Sequence, residues 1–171
     1  MGKLLSKLEF DPKSVKLALI VDIDGTVADC SHRRHLVETL DGSDKNWKLF
    51  CSPELTAKDK VIQEVATILN AIIDGLGVAN IDVFYVSGRD AECWQTTRDW
   101  LIANGLWFDS ETRLWCRGIG DKRHDVDFKR ECLQKIRMTH RVLAAFDDRD
   151  SVVAMWRSEG IRCFQVAPGD F

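Results

Sequence analysis

Residues 16–26 read KLALIVDIDGT: an unbroken apolar run, Leu17 to Val21, passes directly into Asp22-Ile23-Asp24 and then Gly25-Thr26. A strand covered on both faces has no polar side to show, so its sequence is continuously apolar rather than alternating. The abrupt change to acids and a glycine marks the carboxyl end of such a strand as it enters a turn. The stretch predicts a buried strand over 16–22, and the fold depends on whether the rest of the chain repeats it.

Further segments do repeat it. IDVFYV (81–86) is a second buried strand, broken by Ser87-Gly88, and Thr112 to Cys116 a shorter third one mixed with charge. Arg141 to Phe146 and Ile161 to Val166 supply the fourth and fifth. Between them the apolar spacing turns helical. Val61, Val65, Ile68, Leu69, Ile72 and Ile73 fall on one face of a helix within 56–76, with Gly75 and Gly77 as its stop. Asp90 can cap a helix running to Ala103, Asp125 to Met138 carries Phe128, Cys132, Leu133 and Ile136 on one side, and Ser151 to Ser158 forms the last helix.

Strands alternating with helices imply an α/β fold: a doubly wound, Rossmann-like parallel sheet with helices on both faces. Residues 30–55, which include Asp41-Gly42-Ser43-Asp44, have the weakest pattern and are read as a small helical insert after the first strand, beside the active face. Residues 1–15 are an N-terminal extension, and 1–171 form a single domain without linker, repeat or low-complexity segment.

Composition narrows the function. The 171 residues carry 24 Lys and Arg against 27 Asp and Glu, a formal charge of -3. This balance argues against a long electrostatic grip on nucleic acid, though not against brief contact with a strand end. No apolar run approaches membrane-spanning length, so no membrane partner is expected. The six cysteines form no C-x-x-C pair and no histidine cluster accompanies them, which argues against zinc and fits reduced thiols in a cytoplasm.

Ligands of an open parallel sheet collect at the carboxyl ends of its strands. Three predicted strands deliver polar clusters there: Asp22-Ile23-Asp24-Gly25-Thr26, Ser87-Gly88-Arg89-Asp90 and Asp147-Asp148-Arg149-Asp150. An Asp-x-Asp-Gly alone is equally a capped turn; three such ends in one sheet are harder to explain that way. Residues two apart on a strand share a side, so Asp22 and Asp24 are expected to project together. With Asp147 and Asp148 they concentrate carboxylates that repel unless a cation sits among them. Oxygen ligands without histidine point to Mg²⁺, held by Asp22, Asp24, Asp147 and Asp148, and such an ion suits a phosphoryl oxygen. Ser87, with Gly88 permitting close backbone approach, can donate a hydrogen bond to a phosphoryl oxygen, and Lys129 can balance the charge of the transferring group; Lys122, in the loop before the same helix, is the rival to Lys129.

The combination D-I-D-G-T, S-G-R, downstream Lys129 and D-D resembles the four-motif pattern of the haloacid dehalogenase superfamily, in the same chain order. More closely, AAFDDRDSVVAMWRSEGIRCFQVAPGDF (144–171) resembles the end of the phosphatase domain of phage polynucleotide kinase/3′-phosphatases. The likeness extends from Asp22 to the terminus and is looser between motifs. It implies a 3′-phosphatase of polynucleotide ends in which Asp22 is the nucleophile of a phosphoaspartyl intermediate and Asp24 the general acid and then base. Ser87 and Lys129 would bind phosphate, and Asp147, assisted by Asp148, would complete the Mg²⁺ site. Thr26, Arg33, Gly88, Arg89, Arg117 and Asp125 fall where that family contacts substrate or supports the lysine. Arg33, Arg34, Arg89, Arg117, Lys122 and Arg123 would then form a basic rim.

Two departures stand out. No G-x-x-x-x-G-K-[ST] loop occurs, so a kinase reaction has no machinery in this sequence, and a separate kinase or ligase is the expected partner. Asp125-Val126 replaces a pair of adjacent acids. The resemblance also implies the cytoplasm, including the host cytoplasm of a phage-infected bacterium. The alternatives are a nucleotidase of the same superfamily acting on free mononucleotides and, in another class, a phosphoaccepting receiver-like module.

Overall fold

The computed structural model describes residues 15–38, 45–108 and 113–169. The expected N-terminal extension up to residue 14, the Asp41–Asp44 stretch and Thr112 lie outside the described residues.

A central sheet of five strands has the order β5-β4-β1-β6-β7, every neighbouring pair parallel: β1 is Leu17–Val21, β4 Ile81–Asp90, β5 Arg113–Arg117, β6 Arg141–Arg149 and β7 Cys163–Gly169. β1 lies in the middle and every residue of it is buried. Its pleat shares the run between two cores. Leu17, Leu19 and Val21 pack with Leu69 and Ile73 of α4 (Gln63–Leu76) and with Trp100 and Leu101 of α5 (Trp94–Ala103). Ala18 and Ile20 pack on the other face with Phe128 and Leu133 of α6 (Asp125–Arg137) and with Val152 and Trp156 of α7 (Asp150–Ser158). The expected doubly wound α/β sheet is present, with helices on both faces.

Two strands run beyond their predicted ends. β4 continues through Ser87-Gly88 to Asp90, pairing Asp90 with Arg117 after an irregularity, and a 3₁₀ turn over Ala91–Cys93 precedes α5. β6 continues to Arg149. Ser87, Arg89, Asp147 and Asp148 are therefore held on strands rather than on loops, which fixes their directions.

The segment after β1 does hold the short helices expected of it: α1 (Ser31–Arg34), α2 (Trp47–Phe50) and α3 (Pro53–Thr56). It also holds an unexpected antiparallel pair, β2 (Ala28–Asp29) with β3 (Lys60–Val61). The helix predicted from Thr56 starts at Gln63, because Thr56 closes α3 and its hydroxyl donates to the Ser52 carbonyl. No helix among the described residues is long and apolar enough to cross a membrane.

Candidate active site

The carboxyl ends of β1, β4 and β6 meet at a cleft of about 740 Å³ lined by Asp22, Asp24, Gly88, Arg117, Asp125, Lys129, Asp148 and Arg149. Lys129 of α6 is its centre. Its buried Nζ donates to Asp22 Oδ1 at 2.7 Å and Asp147 Oδ2 at 2.9 Å, and lies 3.4 Å from Asp125 Oδ2, one helical turn earlier. Burial alone would lower the lysine pKa, but Asp125, Asp147 and Asp22 outweigh it and drive it well above the ordinary value. Lys129, not Lys122, is therefore the buried cation; Lys122 is exposed at the cleft wall.

Asp22, Asp147 and Asp148 each offer a carboxylate oxygen within 4.8 Å of the others. Burial, partly offset by Lys129, pushes the Asp22 carboxyl well above its usual range, with Asp147, Asp148 and Asp125 adding repulsion. Asp148 rises to about 6 through burial and Asp147. One lysine does not balance three clustered acids. An all-oxygen donor set with unspent negative charge fits a hard divalent cation.

The backbone that presents Asp22 is a tight turn. Thr26, Val27 and Ala28 all donate their N–H to the Ile23 carbonyl, and the Thr26 hydroxyl reaches back to Asp22 Oδ2 at 3.4 Å. Gly25 takes φ +82°, and a Cβ there would overlap the Asp148 carboxylate. The glycine is thus required twice, for conformation and for the approach of Asp148.

That turn also explains a difference from expectation. β1 ends at Val21 and the turn follows, and although Asp22 and Asp24 both line the cleft as expected, Asp24 is not part of the three-carboxylate group. Its carboxylate is instead taken by two arginines. Arg89 donates through Nε at 3.0 Å to Oδ2 and through Nη2 at 2.7 Å to Oδ1, and Arg33 Nη2 donates to the same Oδ1. Burial would raise the Asp24 pKa, but Arg89 and Arg33 hold it far below the usual carboxylate range.

Arg33 and Arg89 are both 0% exposed, so they are interior and not members of a basic rim. Asp59 completes their charge balance. It accepts from Arg33 Nε at 2.8 Å, from Arg33 Nη2 at 2.6 Å and from Arg89 Nη2 at 2.6 Å. The sequence reading missed Asp59, which sits in Lys58-Asp59-Lys60 and looks there like solvated charge. It also missed Trp156, whose indole N–H donates to Asp147 Oδ2 at 3.1 Å. A buried tryptophan needs such a partner, which was the available signal.

Ser87 is fully buried within β4, where its Oγ accepts from the Arg89 N–H at 3.2 Å. Gly88 lines the cleft, and a Cβ there would come 3.0 Å from Asp125 Oδ1. Arg117 Nη2 donates to Asp125 Oδ1 at 2.8 Å, while Lys129, Arg117 and Arg149 overcome burial to keep Asp125 ionised. Asp125 therefore orients both a lysine and an arginine toward the cleft.

The model of the polynucleotide kinase PNKP phosphatase domain matches residues 16–171. A putative bifunctional polynucleotide kinase/RNA ligase of Autographa californica nuclear polyhedrosis virus is 28% identical over 142 residues, 82% of this chain and 18% of that protein. A chain of a Pnkp1/Rnl/Hen1 RNA repair complex superposes with a TM-score of 0.71 at 28% identity, covering 100% of this chain and 48% of its own. The chain thus spans less than half the length of these relatives. A class C acid phosphatase from Bacillus anthracis shares the fold, with TM-score 0.63, 18% identity, and 92% and 68% of the two chains covered.

Proposed function

The chain belongs to the polynucleotide kinase PNKP phosphatase-domain family, whose fold is haloacid dehalogenase-like, and from that premise we propose that it is a Mg²⁺-dependent phosphomonoesterase removing 3′-phosphate from polynucleotide ends. The observation that carries this reading is Lys129 set between the carboxylates of Asp22 and Asp147, with Asp148 beside them, at the strand ends. It is a site for a dianionic phosphoryl group facing a fixed carboxylate nucleophile.

In the reaction, an oxygen of Asp22 attacks phosphorus, and the bond to the 3′-oxygen breaks as an aspartyl phosphate forms. Asp24 gives its proton to the leaving oxygen. Water then attacks phosphorus, Asp24 takes the water's proton, and the bond to Asp22 breaks to release phosphate. Arg33 and Arg89 keep Asp24 ionised before substrate enters, which suits its second duty. The first duty needs a proton on Asp24, so substrate entry must relax its bonds to the guanidiniums. Lys129 and Ser87 hold the transferring phosphoryl group, and Arg117 guides the ester into line. Asp22, Asp147 and Asp148 would hold Mg²⁺, which when bound neutralises phosphoryl oxygens and holds them in place.

The kinase/RNA ligase named in the viral relative and the RNA repair complex of the structural relative support a place beside a separate kinase or ligase. The six free cysteines fit a reducing cytoplasm. A substrate panel with Mg²⁺ tests the reading: 3′-phosphorylated oligonucleotides are expected to be cleaved with higher kcat/KM than 3′- or 5′-mononucleotides. The reverse order would make the protein a nucleotidase working by the same chemistry.

A further inference from the structure

A phosphate ester needs only the space around Asp22, yet the cleft of about 740 Å³ extends to Trp47 and Lys48 of α2 and to Lys122 in the segment between β5 and α6. That volume suits a ligand of nucleotide size or larger. Trp47 is 40% exposed and lines the cleft. It is anchored from behind: its ring meets Phe50 edge-on, with centroids 5.7 Å apart and planes at 83°. Phe50 in turn lies under the Arg33 guanidinium, 4.2 Å from the ring centroid. The α2 turn is also closed by Asn46, whose side chain accepts from the Leu49 N–H at 3.0 Å. An aromatic side chain held through Phe50 and Arg33 to the Asp24 network is in fixed relation to the reacting centre.

Its electrostatic surroundings suit a nucleic acid. The Arg149 guanidinium, which follows Asp147-Asp148 on β6, is 5.7 Å from the Trp47 ring centroid. Lys48 and Lys122, from two separate elements of the cleft wall, are exposed and join no ion pair among the described residues. Arg123, by contrast, is occupied by Asp121 and Glu131. A stacking surface with nearby uncommitted cations is the pattern used on single strands, where bases stack on aromatic rings and the backbone runs past positive charge.

We propose that Trp47 stacks the 3′-terminal nucleobase and that Lys48 and Lys122 receive the phosphodiester next to it. The inference rests on the 3′-phosphatase reading and refines it: the preferred ligand is a nucleoside 3′-phosphate that continues into a chain. Aromatic stacking tolerates any base, so the site selects strand ends without selecting sequence.

The test uses the full chain with Mg²⁺ and three substrates: glycerol phosphate, a nucleoside 3′-monophosphate and a 3′-phosphorylated trinucleotide. The ratio of kcat/KM for the nucleoside 3′-monophosphate to that for glycerol phosphate is expected to fall about tenfold in Trp47→Ala, equivalent to about 1.4 kcal/mol, and to recover in Trp47→Phe. In Lys48→Ala/Lys122→Ala the trinucleotide KM is expected to rise at least threefold more than the mononucleotide KM, and its salt dependence to weaken. Ratios within twofold of the parent in Trp47→Ala, with the trinucleotide still cleaved, overturn the stacking site alone. Cleavage of glycerol phosphate but of neither nucleotide substrate overturns the 3′-phosphatase reading, and the stacking site with it.

Discussion

Lys129 of α6 donates to Asp22 at the end of β1 across 2.7 Å, although 107 residues separate them in the chain. The contact ties the helix layer to the central strand, and the same Nζ holds Asp147. Replacing Lys129 by Met leaves several buried acids without their cation. Breaking a buried pair in this way costs about 3–5 kcal/mol, and losing one stabilising charge on a transferring group lowers kcat by about 10²-fold or more. Urea unfolding and turnover measure the two effects separately. Added Mg²⁺ is expected to restore part of the stability and little of the rate, and a variant within threefold of the parent kcat would exclude Lys129 from the chemistry.

Asp59 holds Arg33 and Arg89 in place around Asp24, and neither arginine has an exposed surface through which water could replace it. Asp59→Asn keeps the size and removes the charge. The expected result is a fall in kcat/KM of at least tenfold and destabilisation on the order of 3 kcal/mol. Steady-state kinetics and a melting curve on the same preparation check both; unchanged kinetics with lowered stability would reduce Asp59 to a purely structural group.

Gly25 lies in the left-handed region at φ +82°, and any Cβ there would overlap the Asp148 carboxylate. Gly25→Ala should therefore act on the cation site more than on substrate. The Mg²⁺ concentration giving half-maximal activity is expected to rise about tenfold, and titration of activity with Mg²⁺ reads it directly. An unchanged Mg²⁺ requirement would show that Asp148 does not serve the ion.

At the opposite end of the sheet, Asp82 of β4 is buried and pairs with Lys16, His140 and Arg113. Burial would raise its pKa, but the bonds from Lys16 and His140 and the charge of Arg113 hold it below the ordinary value. A carboxyl with a depressed folded pKa contributes stability that is complete above the unfolded value near 3.9 and is lost as pH falls through the folded one. The stability gap between the parent and Asp82→Asn should thus be full at pH 6 and shrink below about pH 4. Urea melts across this range test it, and a gap that widens on acidification would reverse the sign of the argument.

Much of this was legible beforehand because β1, β4 and β6 are buried on both faces and end in abrupt polarity changes. Those two signals locate both the sheet and its functional edge. Asp22, Lys129, Asp147 and Asp148 converge as their placement on that edge implies. The charged interior was harder to read. Arg33 and Arg89 look like surface residues in a linear sequence, because only the fold reveals that Asp59 and Asp24 neutralise them. Helices as short as α1 to α3 complete barely one turn each, so they show no periodicity. Asp24 lines the cleft with Asp22 as expected, but it stands apart from the three clustered carboxylates because Arg33 and Arg89 take its carboxylate.

The central claim is that Asp22 itself carries the phosphoryl group. Rapid acid quench of the enzyme during turnover of a 3′-[³²P]phosphorylated oligonucleotide, followed by borohydride reduction and peptide mass spectrometry, tests it most directly. Borohydride converts an aspartyl phosphate to homoserine, so the account predicts transient protein-bound label and homoserine at position 22, both absent from Asp22→Asn. Label on another residue, or Asp22→Asn turning over at a tenth of the parent rate or more, would contradict it.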